Sequence, residues 1–241
     1  MRQYNLSLVF VFFCSVSYCQ FGINIGYTSL SAPTWQIVAD NFITSNHINI
    51  VNAGTTGGLD YTFPNQKGAF VFQPNIQFTK NQSTHINAAN LDRYDFNLNN
   101  FSLQLNVNYY MVEFTSKTNH DNERMVARRQ KKGVCLQFSP AIDHFRTVMI
   151  YPDRTDNGQF ISNVKNSSVD FAYSLGAKIG VDFDWSPIFT LSPFVAYRLY
   201  SKVEWKDLTE IISRGTANAS FDASELRQLT IGLRISFDLN P

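Results

Sequence analysis

The sequence predicts an all-β chain folded as an eight-stranded antiparallel up-and-down transmembrane β-barrel. Three observations carry this: apolar residues recur at every second position in eight separate stretches, an N-terminal export signal precedes them, and short connections alternate with long polar ones. A strand turns successive side chains to opposite faces, so each stretch has one oily and one wet face. A membrane barrel needs an even number of strands in a bacterial single chain, each of about 9–11 residues, and closure removes the edges that lipid cannot hydrogen-bond.

The N-terminal stretch has Arg2 followed by the apolar run Leu6 to Cys19. That run is shorter than the roughly 20 residues a spanning helix requires and reads as a secretory signal, residues 1–19. Small Ser17 and Cys19 precede the cleavage point, which makes Gln20 the mature N-terminus of a single barrel domain over 20–241. A lipidated Cys19 is the rival, but bulky Tyr18 stands where that signal wants a small residue. Without the signal, 19 basic residues face 19 acidic ones, and there is no overall field to attract nucleic acid. Cys135 is then the sole cysteine, which excludes an internal disulfide framework and a thiolate metal site. Aromatic residues make up 15% of the chain and charged ones 16%, against a usual charged share of about 25%.

The strands follow in order. Phe21, Ile23, Ile25 and Tyr27 form one oily face, and Leu59, Tyr61 and Phe63 the next. Phe70, Phe72, Pro74, Ile76 and Phe78 make the third, and Phe101, Leu103, Leu105, Val107 and Tyr109 the fourth. Val134, Leu136 and Phe138 make a short fifth; Phe171 to Trp185 alternates without fault as the sixth, and Phe189 to Tyr200 is the seventh. The eighth is LTIGLRISF, Leu229 to Phe237, with Leu229, Ile231, Leu233, Ile235 and Phe237 on the oily side. Pro64 to Gly68 and Ser186–Pro187 are short turns, assigned to the periplasmic side. Long outer loops are expected at about 30–52, 80–96, 146–168 and 203–224. One connection, 114–132, is long although its place is periplasmic.

Aromatic residues near the strand ends predict two interfacial girdles, Phe63, Phe70, Tyr109, Trp185, Phe189 and Phe237 below and Tyr27, Phe78, Phe171 and Tyr197 above. The competing fold is a soluble β-sandwich or small soluble barrel, in which the same oily faces meet a protein core.

The signal ending before Gln20, the pair DFAYSLGAKIGVDFDWSPIFTLSPFVAYRLY and the closing LTIGLRISF together resemble the PorT-like small outer-membrane β-barrels of Bacteroidota, of the OmpA/OmpX eight-stranded type. The closing stretch also resembles the signal read by the barrel assembly machinery, with Thr230, Gly232, Ile235 and Phe237 at its polar, glycine, hydrophobic and aromatic positions. The resemblance implies a non-enzymatic outer-membrane subunit of a secretion, gliding or assembly complex. Its partners would be outer-membrane lipid and lipopolysaccharide, the assembly machinery during biogenesis, and other outer-membrane or periplasmic proteins.

Little else points to chemistry. His47, His85, His120 and His144 lie in expected loops or at strand ends, without ligand spacing. His144 beside Asp143 and near Ser139 admits a lipid-modifying barrel enzyme as the alternative. Ser139 and His144 have opposite parity, however, and face opposite sides of a regular strand. No catalytic residue, cofactor or metal is expected. Lys178, Asp182, Asp184, Arg198, Lys202, Arg234 and Asp238 fall on the wet face of the late strands, where an internal charge network fits a barrel too narrow to be a pore. Gly176 and Gly180 leave room there for Phe194 or Arg198. Two segments remain as docking candidates. The first outer loop carries Trp35, Ile37, Val38, Phe42 and Ile43, and the basic connection carries Lys117, Arg124, Arg128, Arg129, Lys131 and Lys132.

Overall fold

A computed structural model describes residues 20–32, 53–63, 70–86, 93–113, 133–154, 160–186, 188–203, 205 and 226–238. The strands are β1 (Gln20–Ser31), β2 (Ala53–Thr62), β3 (Phe70–Ile86), β4 (Arg93–Glu113), β5 (Gly133–Arg154), β6 (Phe160–Val181), β7 (Phe183–Asp184), β8 (Phe189–Tyr200) and β9 (Arg227–Asp238). They form one antiparallel sheet in the order β6-β5-β4-β3-β2-β1-β9-β8-β7, and a further β6–β8 pairing closes the ring. Two-residue β7 continues β6 past Asp182, whose N–H bonds the Gly133 carbonyl at 2.9 Å. The ring therefore has eight staves in up-and-down order, as the alternation predicts.

Closure runs through the terminal stretch. β9 pairs with β1 from Gln20↔Asp238 to Ser31↔Arg227 without a break, setting Phe237 beside Phe21 and Gly232 beside Gly26. The tightest turn follows β7, where the Trp185 N–H donates to the Phe189 carbonyl at 3.0 Å.

The two faces of the wall decide what surrounds it. In β4 the outward residues Phe101, Leu103 and Leu105 are exposed, while Ser102, Gln104, Asn106 and Asn108 between them are buried. The same inversion holds in β3 and β5, where Ile76 and Phe78 face out and Asn75 and Thr79 face in, and Phe138 and Ile142 face out and Ser139 and Asp143 face in. A water-soluble sandwich or barrel would hide the apolar set, so that competing fold is excluded. An oily exterior around a polar interior is stable only where lipid replaces water outside. Aromatic rings band the lower end, with Phe70–Tyr109 at 5.7 Å, Phe189–Phe237 at 5.0 Å and Tyr61–Phe63 at 5.2 Å, and Trp185 is 78% exposed. Tyr27, Phe78, Phe101, Phe171 and Tyr197 are the exposed rings of the upper end.

The expected loops at 80–96 and 146–168 are largely strand. β3 continues to Ile86, β4 starts at Arg93, β5 continues to Arg154, and β6 starts at Phe160. β2 likewise begins at Ala53, six residues before its first large apolar side chain. These extensions stand beyond the lipid belt, where the outward face meets water; Asn97, Asn99 and Arg146 therefore replace apolar residues and erase the alternation that marks a strand. His144, expected at a strand end, lies within β5, and the His85 backbone belongs to β3. The stretches 33–52, 114–132 and 206–225 lie outside the described residues, and the loop expectations there with them.

Candidate functional site

The interior of the barrel is a continuous polar packing. At its lower end Arg234 of β9 reaches past β1 to Asp60 of β2, Nε to Oδ2 at 2.9 Å and Nη2 to Oδ1 at 2.7 Å, with side-chain exposures of 5% and 1%. Asn24 donates to the same carboxylate at 2.8 Å. Gly22 lies between the two strands, and a Cβ there would sit 2.5–2.6 Å from the Asp60 carboxylate and Arg234 Nε. A glycine is therefore required for the pair to meet. The bidentate form suits guanidinium and carboxylate, and a buried charge left without its partner would be costly.

Around this pair the amides interlock. Asn108 donates to Gln73 at 2.6 Å and Gln73 to Thr62 at 2.7 Å. Asn75 donates to Gln104, Gln104 to Gln77, and Gln77 to Thr56 at 2.6 Å, so one chain of bonds crosses β4, β3 and β2. Tyr110 donates its O–H to Asp182 at 2.8 Å. Higher up, Asp143 accepts from Asn100 at 2.9 Å and from Ser174, whose oxygen in turn accepts from Arg198 at 2.7 Å. Lys178 places Nζ 4.9 Å from the centre of the Phe194 ring, a cation–π contact. The lumenal cavities lined by Lys178 measure about 50 and 20 Å³, room for a few waters at most.

Above the polar zone the inward face turns apolar. Tyr94, Phe96, Leu98, Phe145, Met149, Tyr200, Val203, Trp205 and Leu226 form the hydrophobic cluster of the described residues. Phe145 meets the Tyr200 ring at 5.3 Å and the Trp205 ring at 6.1 Å. Tyr200 joins the zones, since its O–H donates to Gln228 at 2.5 Å while its ring belongs to the cluster. The polarity of the wall thus inverts once along the barrel: outward apolar and inward polar within the lipid belt, outward polar and inward apolar above it.

Of the charges expected on the wet face, Lys178, Asp182, Arg198 and Arg234 do not pair with one another in the described contacts. Arg234 is bonded to Asp60, Asp182 to Tyr110, Arg198 to Ser174, and Lys178 stands over Phe194. Two further expectations are corrected: Asp184 and Lys202 are exposed, because β7 is the rim of the lower turn and Lys202 lies past the end of β8. The anionic centres Asp60 and Asp143 were not singled out as lumenal, although each has the parity of its polar neighbours. The apolar cap had a similar signal, for Phe96 and Leu98 continue the even column of Asn100, and Phe145 and Met149 the odd column of Asp143. Gly176 lies 3.0 Å, at its would-be Cβ, from the Arg198 guanidinium, and Gly232 stands 2.5 Å from the Phe194 ring on the same measure.

Of the assembly-signal positions, Thr230 faces in and accepts from Gln228 at 3.1 Å, while Phe237 faces Phe189 and Gly232 makes room for Phe194. Ile235 lies on the outward face between Ile23 and Leu191. Trp35, Ile37, Phe42, Arg124, Arg128, Arg129, Lys131 and Lys132 lie outside the described residues. Ser139 is buried in the lumen and His144 sits on the outer wall against the Phe171 ring at 4.9 Å, with unbroken β5–β6 register between them.

No family model matches the chain, and no curated protein does. Among solved structures the chain is similar to Neisserial surface protein A, with 11% identity, 91% of this chain and 96% of that one covered and a TM-score of 0.46. It is also similar to Ail, the attachment invasion locus protein of Yersinia pestis, at 13% identity, 91% and 99% coverage and a TM-score of 0.42. A major outer membrane protein from Thermus thermophilus matches at 11% identity, 91% and 99% coverage and a TM-score of 0.47. On its own geometry the chain is an antiparallel barrel built to sit in a membrane, with a packed lumen and an apolar cap.

Proposed function

We propose that this chain is a non-enzymatic integral barrel of a Gram-negative outer membrane, serving as a structural or accessory subunit of a larger secretion, gliding or assembly complex. The observation that carries this reading is the filled interior. Side chains from Arg234–Asp60 upward occupy the lumen and the Phe145 cluster covers it, so the described residues leave no passage for solutes, and the working surfaces are the wall and the two ends. The signal-like N-terminal stretch and the resemblance to PorT-like barrels support an outer-membrane assembly of this kind. The basic connection 114–132 and the loop segment bearing Trp35, Ile37 and Phe42 are the docking elements on this reading.

Extraction of the tagged protein in mild detergent, followed by identification of stoichiometric co-purifying proteins, tests it. A defined outer-membrane or periplasmic partner lost on neutralising Arg124, Arg128, Arg129, Lys131 and Lys132 supports the subunit role. A barrel that remains alone under every gentle extraction overturns it. The lipid-modifying alternative lacks a joined Ser–His pair, and His144→Ala should leave the mass profile of lipid A unchanged.

A further inference from the structure

The outer wall of β3 to β6 is layered in register. Ile76, Leu103, Ile142 and Tyr173 form one row of outward neighbours across the strands; Phe78, Phe101, His144 and Phe171 form the next row toward the outer end. Above these rings lie Lys80, Asn99, Arg146 and Val169, then Gln82, Asn97, Val148 and Ser167. Each step is two residues along a strand, about 6.6 Å. Apolar belt, aromatic band, cations and amides therefore follow one another outward along the same four strands.

Two features converge here. The first is an apolar groove of about 920 Å³ on the outer wall, whose lining includes Leu59, Ile76, Leu103, Leu105, Pro140 and Ile142. Pro140 has no N–H to give, and the β4–β5 pairing skips Leu105 and Asn106 opposite it, so the ladder is interrupted beside the groove. The second is the pair Lys80 and Arg146, exposed on either side of Asn99 and two strand spacings, about 9.6 Å, apart. The described ion pairs, Arg93–Asp95 and Arg234–Asp60, involve neither, and no carboxylate occupies the outward positions of these four rows.

We propose that this face is a binding site for one multiply acylated, phosphorylated glycolipid of the outer leaflet. Its acyl chains lie in the groove, its phosphate is held between Lys80 and Arg146, and its sugar hydroxyls meet Asn99, Gln82, Asn97 and Ser167. The groove's lining runs from β1 to β6 and takes more than one acyl chain, and the amides and hydroxyl above the cations select a phosphorylated glycolipid over an ordinary phospholipid. The cations sit one row above the aromatic band, the depth at which a headgroup phosphate lies. Two flexible cations on one phosphate make charge-assisted hydrogen bonds that a neutral headgroup cannot replace.

The proposal rests on the membrane-barrel reading, and its test separates the two. The mature chain is folded in detergent, offered hexa-acyl lipid A carrying both phosphates, the same lipid dephosphorylated, or dioleoyl phosphatidic acid, and bound lipid is read by native mass spectrometry. The wild type should retain phosphorylated lipid A at least about tenfold over the dephosphorylated form and over phosphatidic acid. Lys80→Glu with Arg146→Glu should abolish that preference, whereas Lys80→Arg with Arg146→Lys keeps it. Leu105→Trp, which fills the groove, should weaken retention with the cations intact. Equal retention of all three lipids, a preference for phosphatidic acid, or an unchanged double-Glu variant overturns the site. Insertion into phosphatidylcholine vesicles, scored by a heat-dependent gel shift, is measured in parallel; insertion without lipid preference defeats this proposal alone, and failure to insert defeats the barrel reading as well.

Discussion

Arg234 holds Asp60 through two N–H donors across 174 residues of sequence, and the two meet only because Gly22 lies between their strands. This one contact ties β9, β1 and β2 together at the seam where the barrel closes. Removal of either partner leaves a buried charge alone, at about 3–5 kcal/mol. Asp60→Ala and Arg234→Ala should each lower the urea midpoint of the protein refolded in vesicles by that order. The double variant Asp60→Asn with Arg234→Gln, which removes both charges and keeps hydrogen-bonding groups, should lose less than either single change. A loss in the double variant equal to the sum of the two single losses would mean that the pair contributes nothing as a pair.

The glycine at the seam can be tested against a glycine elsewhere in the same sheet. A Cβ on Gly22 would press on the Asp60 carboxylate and Arg234 Nε, whereas one on Gly57 would find its nearest atom, the Asn24 carbonyl oxygen, at 3.9 Å. Gly22→Ala should therefore reduce the folded, vesicle-inserted fraction sharply, and Gly57→Ala should leave it near the wild-type level. The heat-dependent gel shift at matched expression measures both.

The two faces of LTIGLRISF should answer differently to mutation. Leu233 lies on the lipid side, beside Ile25 and Pro193 and midway between the girdles. Lys at that position should cost about 2–4 kcal/mol, the scale for a cation near the bilayer midplane. Thr230→Ser retains the oxygen that Gln228 bonds and should cost far less. Phe237→Ala should act chiefly on the rate of assembly, since its ring packs only against Phe189 among the described ring contacts. Equal tolerance of Leu233→Lys and Thr230→Ser would contradict a lipid-facing exterior.

A lumen with cavities of about 50 and 20 Å³ lined by interlocked amides, beneath an aromatic cap, should carry no current. Planar-bilayer recordings of the reconstituted protein should show no sustained openings. Stable conductance of porin size would refute the filled interior.

Eight lipid-crossing segments, their facing and their order were legible in the sequence, because lipid imposes period-2 alternation on every strand that crosses it. Beyond the lipid that demand lapses. The extensions of β3 to Ile86 and β5 to Arg154 read as loops, since water accepts their polar outward residues while Phe96, Phe145 and Met149 turn inward. The seam pairing of Leu229–Phe237 with the first strand is what closure of eight up-and-down strands requires. Which charges meet inside did not. Parity places Arg234, Lys178 and Asp182 on the wet face, but partner choice depends on strand stagger around the ring, and that stagger set Asp60 beside Arg234 and left Asp182 to Tyr110. The tertiary structure likewise decided the cap, because Tyr94, Phe145, Tyr200 and Trp205 come from separated stretches that only the closed ring gathers over one lumen. Alternation is a local property written along each strand; side-chain pairing across a barrel is a property of its circumference.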